Sequence, residues 1–166
     1  MSEEASGRFD RIVRDHGPAL RRLALTYART QADADDLFQD ICFGLWRALP
    51  TFRGESSERT FAFRIGHNRG ITFRTRHRHY EPIEDALPDQ RPGPDAVAGR
   101  ALLRDRLMEA IRSLPVGQRQ VITLSLEDLT HAEIAEVLGV TENNVAVRLT
   151  RARQRLRQLL STGGSE

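Results

Sequence analysis

Three groups of side chains in this 166-residue chain have the types and spacing to do chemistry, and in each the chemistry is binding. The first lies near the C-terminus. Stepped at about 100° per residue from Glu142, the residues Asn143, Asn144, Val147, Thr150, Arg151, Gln154 and Arg155 share one helical arc. Val145, Leu149, Ala152, Leu156, Leu159 and Leu160 share the arc expected to face a core. Asn and Gln can pair with adenine, Arg with guanine or phosphate, and a valine can meet a thymine methyl, so the polar arc suits a DNA major groove. Arg148 is grouped with it, and Thr141 stands at the helix cap. The second group is Arg59, Phe63, Arg64, His67, Asn68, Arg69, Arg74 and Arg76, interleaved with Phe61 and Phe73. Arginines neutralise phosphates and aromatics stack on unpaired bases, the composition of a single-strand-binding surface. Burial in a core is the alternative for each phenylalanine taken singly. The third is Asp36, Gln39, Asp40, Phe43 and Arg47, on the arc opposite Leu37, Phe38, Ile41, Cys42, Leu45 and Leu49. An aromatic at the centre of a charged stripe fits a protein-docking anchor ringed by steering charges, although single exposed apolar residues are common.

Catalysis finds no support. There is no nucleophile triad, phosphate loop or ligand set. His77 and His79 on one helix would point about 200° apart, so with His67 and Glu81 they form no HExxH-like metal pair. The single Cys42 excludes an internal disulfide and a multi-cysteine zinc site. No metal and no cofactor is expected.

Helices must position all three groups, because the apolar spacing is helical throughout and neither half shows alternating strand patterns. Phe9, Ile12, Val13, Leu20, Leu23, Ala24 and Tyr27 predict an amphipathic helix interrupted at Gly17-Pro18. Ser56-Ser57 predicts the cap of the arginine-rich helix. Leu102, Leu103, Leu107, Ala110, Ile111 and Leu114 form a stripe stopped by Pro115. Thr130 and Glu133 have capping-box spacing, and Gly139 sits where a helix ends in positive φ. A capped short helix, a glycine turn and a second helix predict a helix-turn-helix. Between the halves, Pro82, Pro88, Pro92, Gly93 and Pro94 among acidic residues predict an extended linker. The expected organisation is all-α: a helical bundle over 1–80, an acidic Pro-rich linker over 81–100, a helix-turn-helix unit over 101–161 and a tail over 162–166.

The net charge of +2 is too small to announce a nucleic-acid binder, but it is an average. Residues 51–80 carry a net +5 and residues 148–166 a net +4, while the rest of the chain is acidic. These are two separate anion-binding footprints. All 25 basic residues are arginine, for which side-chain physics alone offers no reason. No apolar run approaches the about 20 residues of a membrane span, and the first fifteen residues lack the apolar core of a secretory signal, so a cytoplasmic protein with no membrane insertion is expected.

The runs Asp35-Asp36-Leu37-Phe38-Gln39-Asp40 through Trp46, Phe52-Arg53-Gly54-Glu55-Ser56 and Phe63-Arg64-Ile65-Gly66-His67-Asn68 together resemble region 2 of the extracytoplasmic-function (ECF) sigma factors of the sigma-70 family. Leu114-Pro115, Ala132 through Val140 and Val145 through Arg153 resemble their region 4. The resemblance covers about Phe9 to Leu160 in the family's order. It implies a promoter-specificity subunit with no catalytic activity. On that basis Asp36, Gln39, Asp40, Phe43 and Arg47 dock the clamp helices of the largest subunit of core RNA polymerase, whose flap region is a further contact. The Arg59–Tyr80 stretch opens and holds the -10 element, with Asn68 in the loop that receives a flipped base. The last helix reads the -35 element, and an anti-sigma factor is an expected partner. The chain departs from the family pattern at Phe61, at Ala146-Val147 and at Gly70. A stand-alone operator-binding regulator is the rival reading, but it leaves the N-terminal half unexplained.

Overall fold

Pro18 does not interrupt the first helix. In the computed structural model, which describes residues 3–78 and 96–162, α1 runs Glu3–Tyr27 straight through Gly17-Pro18. A proline removes one backbone donor and is tolerated where the freed carbonyl can meet solvent; Arg14 and Pro18 lie on the exposed side. The turns on either side are anchored by Ile12, Leu20 and Leu23, all fully buried, so packing overrides the local penalty.

Two further helices complete the first unit. α2 spans Gln31–Ala48, its N-terminus capped by Thr30, whose hydroxyl accepts the Asp33 N–H at 3.1 Å. A 3₁₀ turn at Leu49–Thr51 leads to α3, Glu58–Arg78. Ser57 is its cap, its hydroxyl oxygen accepting the Thr60 N–H at 3.0 Å. Glu58 opens the first turn, where a carboxylate meets the positive end of the helix dipole, and Arg11 of α1 grips it at 2.6 and 3.1 Å. The carboxyl of Glu58 is held below its ordinary range chiefly by that hydrogen bond. Ile12, Leu20 and Leu23 from α1, Leu37, Ile41 and Leu45 from α2 and Phe63 from α3 fill the bundle core.

The second unit comprises α4 (Ala96–Ser113), α5 (Val116–Leu126), α6 (His131–Leu138) and α7 (Glu142–Thr162). Helix α4 starts inside the stretch expected as linker at 81–100; residues 81–95 of that stretch lie outside the described residues. The expected apolar stripe on α4 holds at Ala110, Ile111 and Leu114 but fails at Leu102 and Leu103, which are 47% and 64% exposed. Leu159 and Leu160, also expected inside, are exposed as well. Leu102, Leu159 and Leu160 line one open groove together with Leu25 of α1. Among the described residues every regular element is helical.

Tyr27 explains the unusual glycine at position 70. A Cβ on Gly70 would lie 2.4 Å from the Tyr27 ring, so the ring packs flat on the α3 backbone. Gly70→Ala is expected to destabilise the protein by about 1–3 kcal/mol in denaturant unfolding, overpacking outweighing the better helix propensity of alanine. An unchanged or raised midpoint would contradict this contact.

Candidate functional site

The helix-turn-helix closes as its residues dictate. Thr130 accepts the Glu133 N–H at 3.2 Å and the Glu133 carboxylate accepts the Thr130 N–H at 2.7 Å, a complete capping box. That backbone hydrogen bond is the main reason the Glu133 carboxyl is held below its ordinary range. Gly139 adopts φ 66°, ending α6, and the Val140 N–H reaches back to the Ala135 carbonyl at 3.1 Å. Thr141 then caps α7 by accepting the Asn144 N–H at 3.1 Å. Val145, Leu149, Ala152 and Leu156 are buried, which turns Asn143, Asn144, Val147, Thr150, Arg151, Gln154 and Arg155 outward, all exposed. Arg148 is only partly exposed, with its guanidinium lying over Gly117 at the start of α5.

On α2 the charged stripe also faces out. Phe43 is 56% exposed, with the Arg47 guanidinium 5.7 Å from its ring centre, and Asp36 and Gln39 are exposed beside it. Trp46 extends the stripe: it is 40% exposed and meets Phe9 edge-on at 5.1 Å. It went unassigned in the sequence, although it lies three residues from Phe43 and therefore on the same side of the helix. Asp40 is half-buried because Arg69 reaches it across Gly44, 3.3 Å away. A residue expected to hold DNA thus braces one expected to hold polymerase.

Helix α3 divides the expected -10 group. Arg64, Asn68 and Arg76 are exposed, and Arg59, Arg69 and Arg74 are partly so. Phe63 and His67 are not on the surface: at 1% and 2% exposure they belong to the core, and neither can touch nucleic acid in this fold. They fall on the side of α3 that packs on α1 and α2, a side blurred in the sequence because arginines and apolar residues alternate so closely. Tyr27 Oη and His67 Nδ1 are 2.7 Å apart inside the bundle. Phe61 stacks on Phe52 at 4.3 Å, and Phe73 on His77 at 3.9 Å. With His67 enclosed and the His77 ring on Phe73, these two histidines do not converge; His79 and Glu81 lie outside the described residues. Cys42 is half-buried, and burial raises its thiol pKa.

The two units touch through arginines that no periodicity could flag. Arg22 of α1 clasps Glu127, at the end of α5, with two hydrogen bonds of 2.7 and 2.8 Å. Arg59 donates to the Glu127 carbonyl and lies 3.8 Å from the Glu133 carboxylate, while Arg64 donates to the Glu136 carbonyl at 2.9 Å. On the other flank Arg112 donates to the Leu25 carbonyl at 3.0 Å, and the buried Arg119 lies 5.6 Å from the Tyr27 ring centre.

Two family models match the two units in turn. The Sigma-70 region 2 model matches residues 12–80, and the Sigma-70 region 4 model matches residues 104–156. The RNA polymerase sigma factor NccH of Alcaligenes xylosoxydans xylosoxydans is 33% identical over 93% of this chain and 87% of its own length. The ECF RNA polymerase sigma factor SigM of Mycobacterium tuberculosis is 33% identical over 92% of this chain and 76% of its own. Among solved structures, CnrH in complex with the cytosolic domain of CnrY aligns with a TM-score of 0.69 at 29% identity, covering 93% of this chain and 88% of CnrH. RpoE in complex with the anti-sigma factor NepR, from Bartonella quintana, aligns at 0.71 and 25%, covering 92% and 96%. The chain belongs to the ECF sigma factors of the sigma-70 family. It is a promoter-specificity subunit of RNA polymerase that acts in transcription initiation, a regulatory subunit in class. Among the described residues no helix is long and apolar enough to cross a membrane.

Burial holds the His67 pKa down to about 3, against an ordinary 6.5. The unfolded chain therefore binds a proton that the folded chain refuses between those values, and stability falls as pH drops through this window. His16, lowered chiefly by burial, adds to the loss with the same sign. His67→Gln is expected to flatten the pH dependence of unfolding between about 6 and 4 by one proton, a slope of about 1.4 kcal/mol per pH unit. An unchanged slope in the variant would contradict the assignment.

Proposed function

We propose that the three surfaces divide promoter recognition among them. The α2 stripe of Asp36, Gln39, Asp40, Phe43 and Arg47, extended by Trp46, docks the clamp helices of the largest subunit of core RNA polymerase, and the second unit meets the flap region. Arg59, Arg64, Asn68, Arg69, Arg74 and Arg76 of α3 hold the opened -10 element, Asn68 taking an unstacked base. The outward face of α7 reads the -35 duplex: Asn143, Asn144, Gln154 and Val147 at base edges, Arg151 and Arg155 at guanine or phosphate, with Thr141 and Arg148 setting the helix. The observation that carries this reading is the exposure of that whole face behind a complete cap-helix-glycine turn. Such a subunit works where polymerase and DNA are, in the cytoplasm. The complexes of CnrH with CnrY and of RpoE with NepR support an anti-sigma factor as the restraining partner here too.

In vitro transcription with purified core polymerase on genomic DNA tests the whole. Discrete new starts that require this chain are expected, whereas promoter-independent background alone would contradict the reading. Phe43→Ala is expected to weaken core binding by about tenfold, as loss of a central aromatic anchor does, without altering duplex binding. Equal co-purification with core would remove Phe43 from the interface. Asn68→Ala should impair promoter opening in a permanganate footprint more than closed-complex formation in a gel shift. Parallel loss in both assays would contradict base capture. Arg151→Ala is expected to reduce the salt slope of duplex binding by about one, and an unaltered slope would take it off the phosphates.

A further inference from the structure

Where the two units meet there is a cavity that the proposed docking and DNA surfaces leave unused but for Arg74. It measures about 460 Å³, within the about 300–1,000 Å³ of small-molecule sites. Its walls come from the ends of α1 and α4, the start of α2, the last turns of α3 and the first turn of α5. Among the described residues, Arg29, Arg74, Arg112 and Arg119 line it, and Asp33 and Glu109 are the carboxylates that answer them. Four guanidiniums against two carboxylates leave a surplus of two positive charges, which a diphosphate matches better than a neutral ligand or a monoanion.

Two of the four guanidiniums are fixed before any ligand arrives. Arg112 donates through Nε to the Leu25 carbonyl at 3.0 Å, and the buried Arg119 donates to the Arg112 and Leu114 carbonyls. Carbonyls hold a guanidinium in place without cancelling its charge. The Glu109 carboxylate lies 3.4 Å from Arg112 but is itself exposed, so water screens that pair. Helix α2 opens on the same cavity through Thr30 and Asp33, and the positive end of this 18-residue helix adds to the field. A cleft lined by one sign of charge concentrates anions. One wall is aromatic: Phe73 and His77 stack at 3.9 Å, and His77 Nδ1 donates to the Phe73 carbonyl at 2.9 Å, which fixes the imidazole while the residue stays exposed. A flat exposed ring beside arginines is what a nucleobase stacks on while its phosphates meet guanidinium forks.

We propose that this cavity binds a nucleoside di- or triphosphate, its phosphates held by Arg29, Arg74, Arg112 and Arg119 and its base on the His77 ring. The site draws residues from both units and is separate from the α2 stripe and the outward face of α7. It does not rest on the division of promoter recognition among those surfaces.

Isothermal titration calorimetry on the full chain, with ADP, GDP, inorganic pyrophosphate and adenosine as separate probes, tests this. ADP and GDP are expected to bind with Kd below about 1 mM, pyrophosphate more weakly and adenosine not at all. Arg29→Gln and Arg112→Gln should each weaken ADP by about tenfold, the loss of one charge-assisted contact. Arg29 lies in an exposed turn, so its variant keeps the fold even where loss of Arg112 loosens the tie between α4 and α1. His77→Ala should weaken ADP by about fivefold and leave pyrophosphate unchanged, because only the nucleotide loses a stacking partner. No heat from ADP or GDP up to about 1 mM overturns the site. Binding that falls with Arg151→Gln on α7 but not with Arg29→Gln or Arg112→Gln puts the nucleotide on the recognition helix and overturns it as well. Pyrophosphate binding equal to that of ADP, with His77→Ala affecting neither, overturns the nucleoside assignment.

Discussion

A planar guanidinium reaching an oxygen is the interaction on which the molecule turns. Arginine is its only basic side chain apart from histidine, 25 times over, and its forked donors fit carbonyls and carboxylates as readily as phosphates. Arg11 fixes the start of α3 through Glu58, Arg69 braces α2 through Asp40, and Arg22, Arg59, Arg64 and Arg112 tie the two units together. The same group that holds the protein together is the group expected to hold DNA. Of these, Arg59, Arg64 and Arg69 belong to the group proposed to hold DNA, whereas Arg11, Arg22 and Arg112 lie outside it.

Much of this was legible from residue order. The capping box at Thr130 and Glu133, the left-handed Gly139 and the buried stripe of α7 follow from local chemistry, and the structure forms each of them. The exposed charged stripe on α2 could be read because only one arc of that helix is apolar. Where reading fell short, a tertiary contact decided the outcome. Pro18 is carried by the buried residues on both sides of it. Leu102 and Leu103 match a helical stripe but remain exposed. Phe63 and His67 sit among arginines and yet point inward, because α1 and α2 close over that side of α3. The ties between the units join residues as far apart as Arg22 and Glu127, and no periodicity encodes a pairing of that span.

The near-neutral total charge makes physical sense within this scheme. Two basic patches, over 51–80 and 148–166, are offset by acidic stretches elsewhere. Part of that acid is spent inside the molecule, Glu58 on Arg11, Glu127 on Arg22 and Glu133 beside Arg59. On the proposed assignment the outward face of α7 and the α3 residues Arg64, Asn68 and Arg76 all stay exposed, so the basic surface is kept where nucleic acid can meet it.

The central claim is that the outward faces of α2, α3 and α7 divide core docking, -10 capture and -35 reading among them. Its most direct test is a cryo-electron-microscopy reconstruction of the chain on core polymerase with an open promoter, at a resolution that places guanidinium groups. The account predicts Phe43 seated on the clamp helices, Arg64 and Asn68 within hydrogen-bond distance of the -10 strand, and Asn143 and Arg151 in the groove of the -35 duplex. A promoter-bound complex in which Phe43 is away from the polymerase, or in which the outward face of α7 is turned from the duplex, would contradict it.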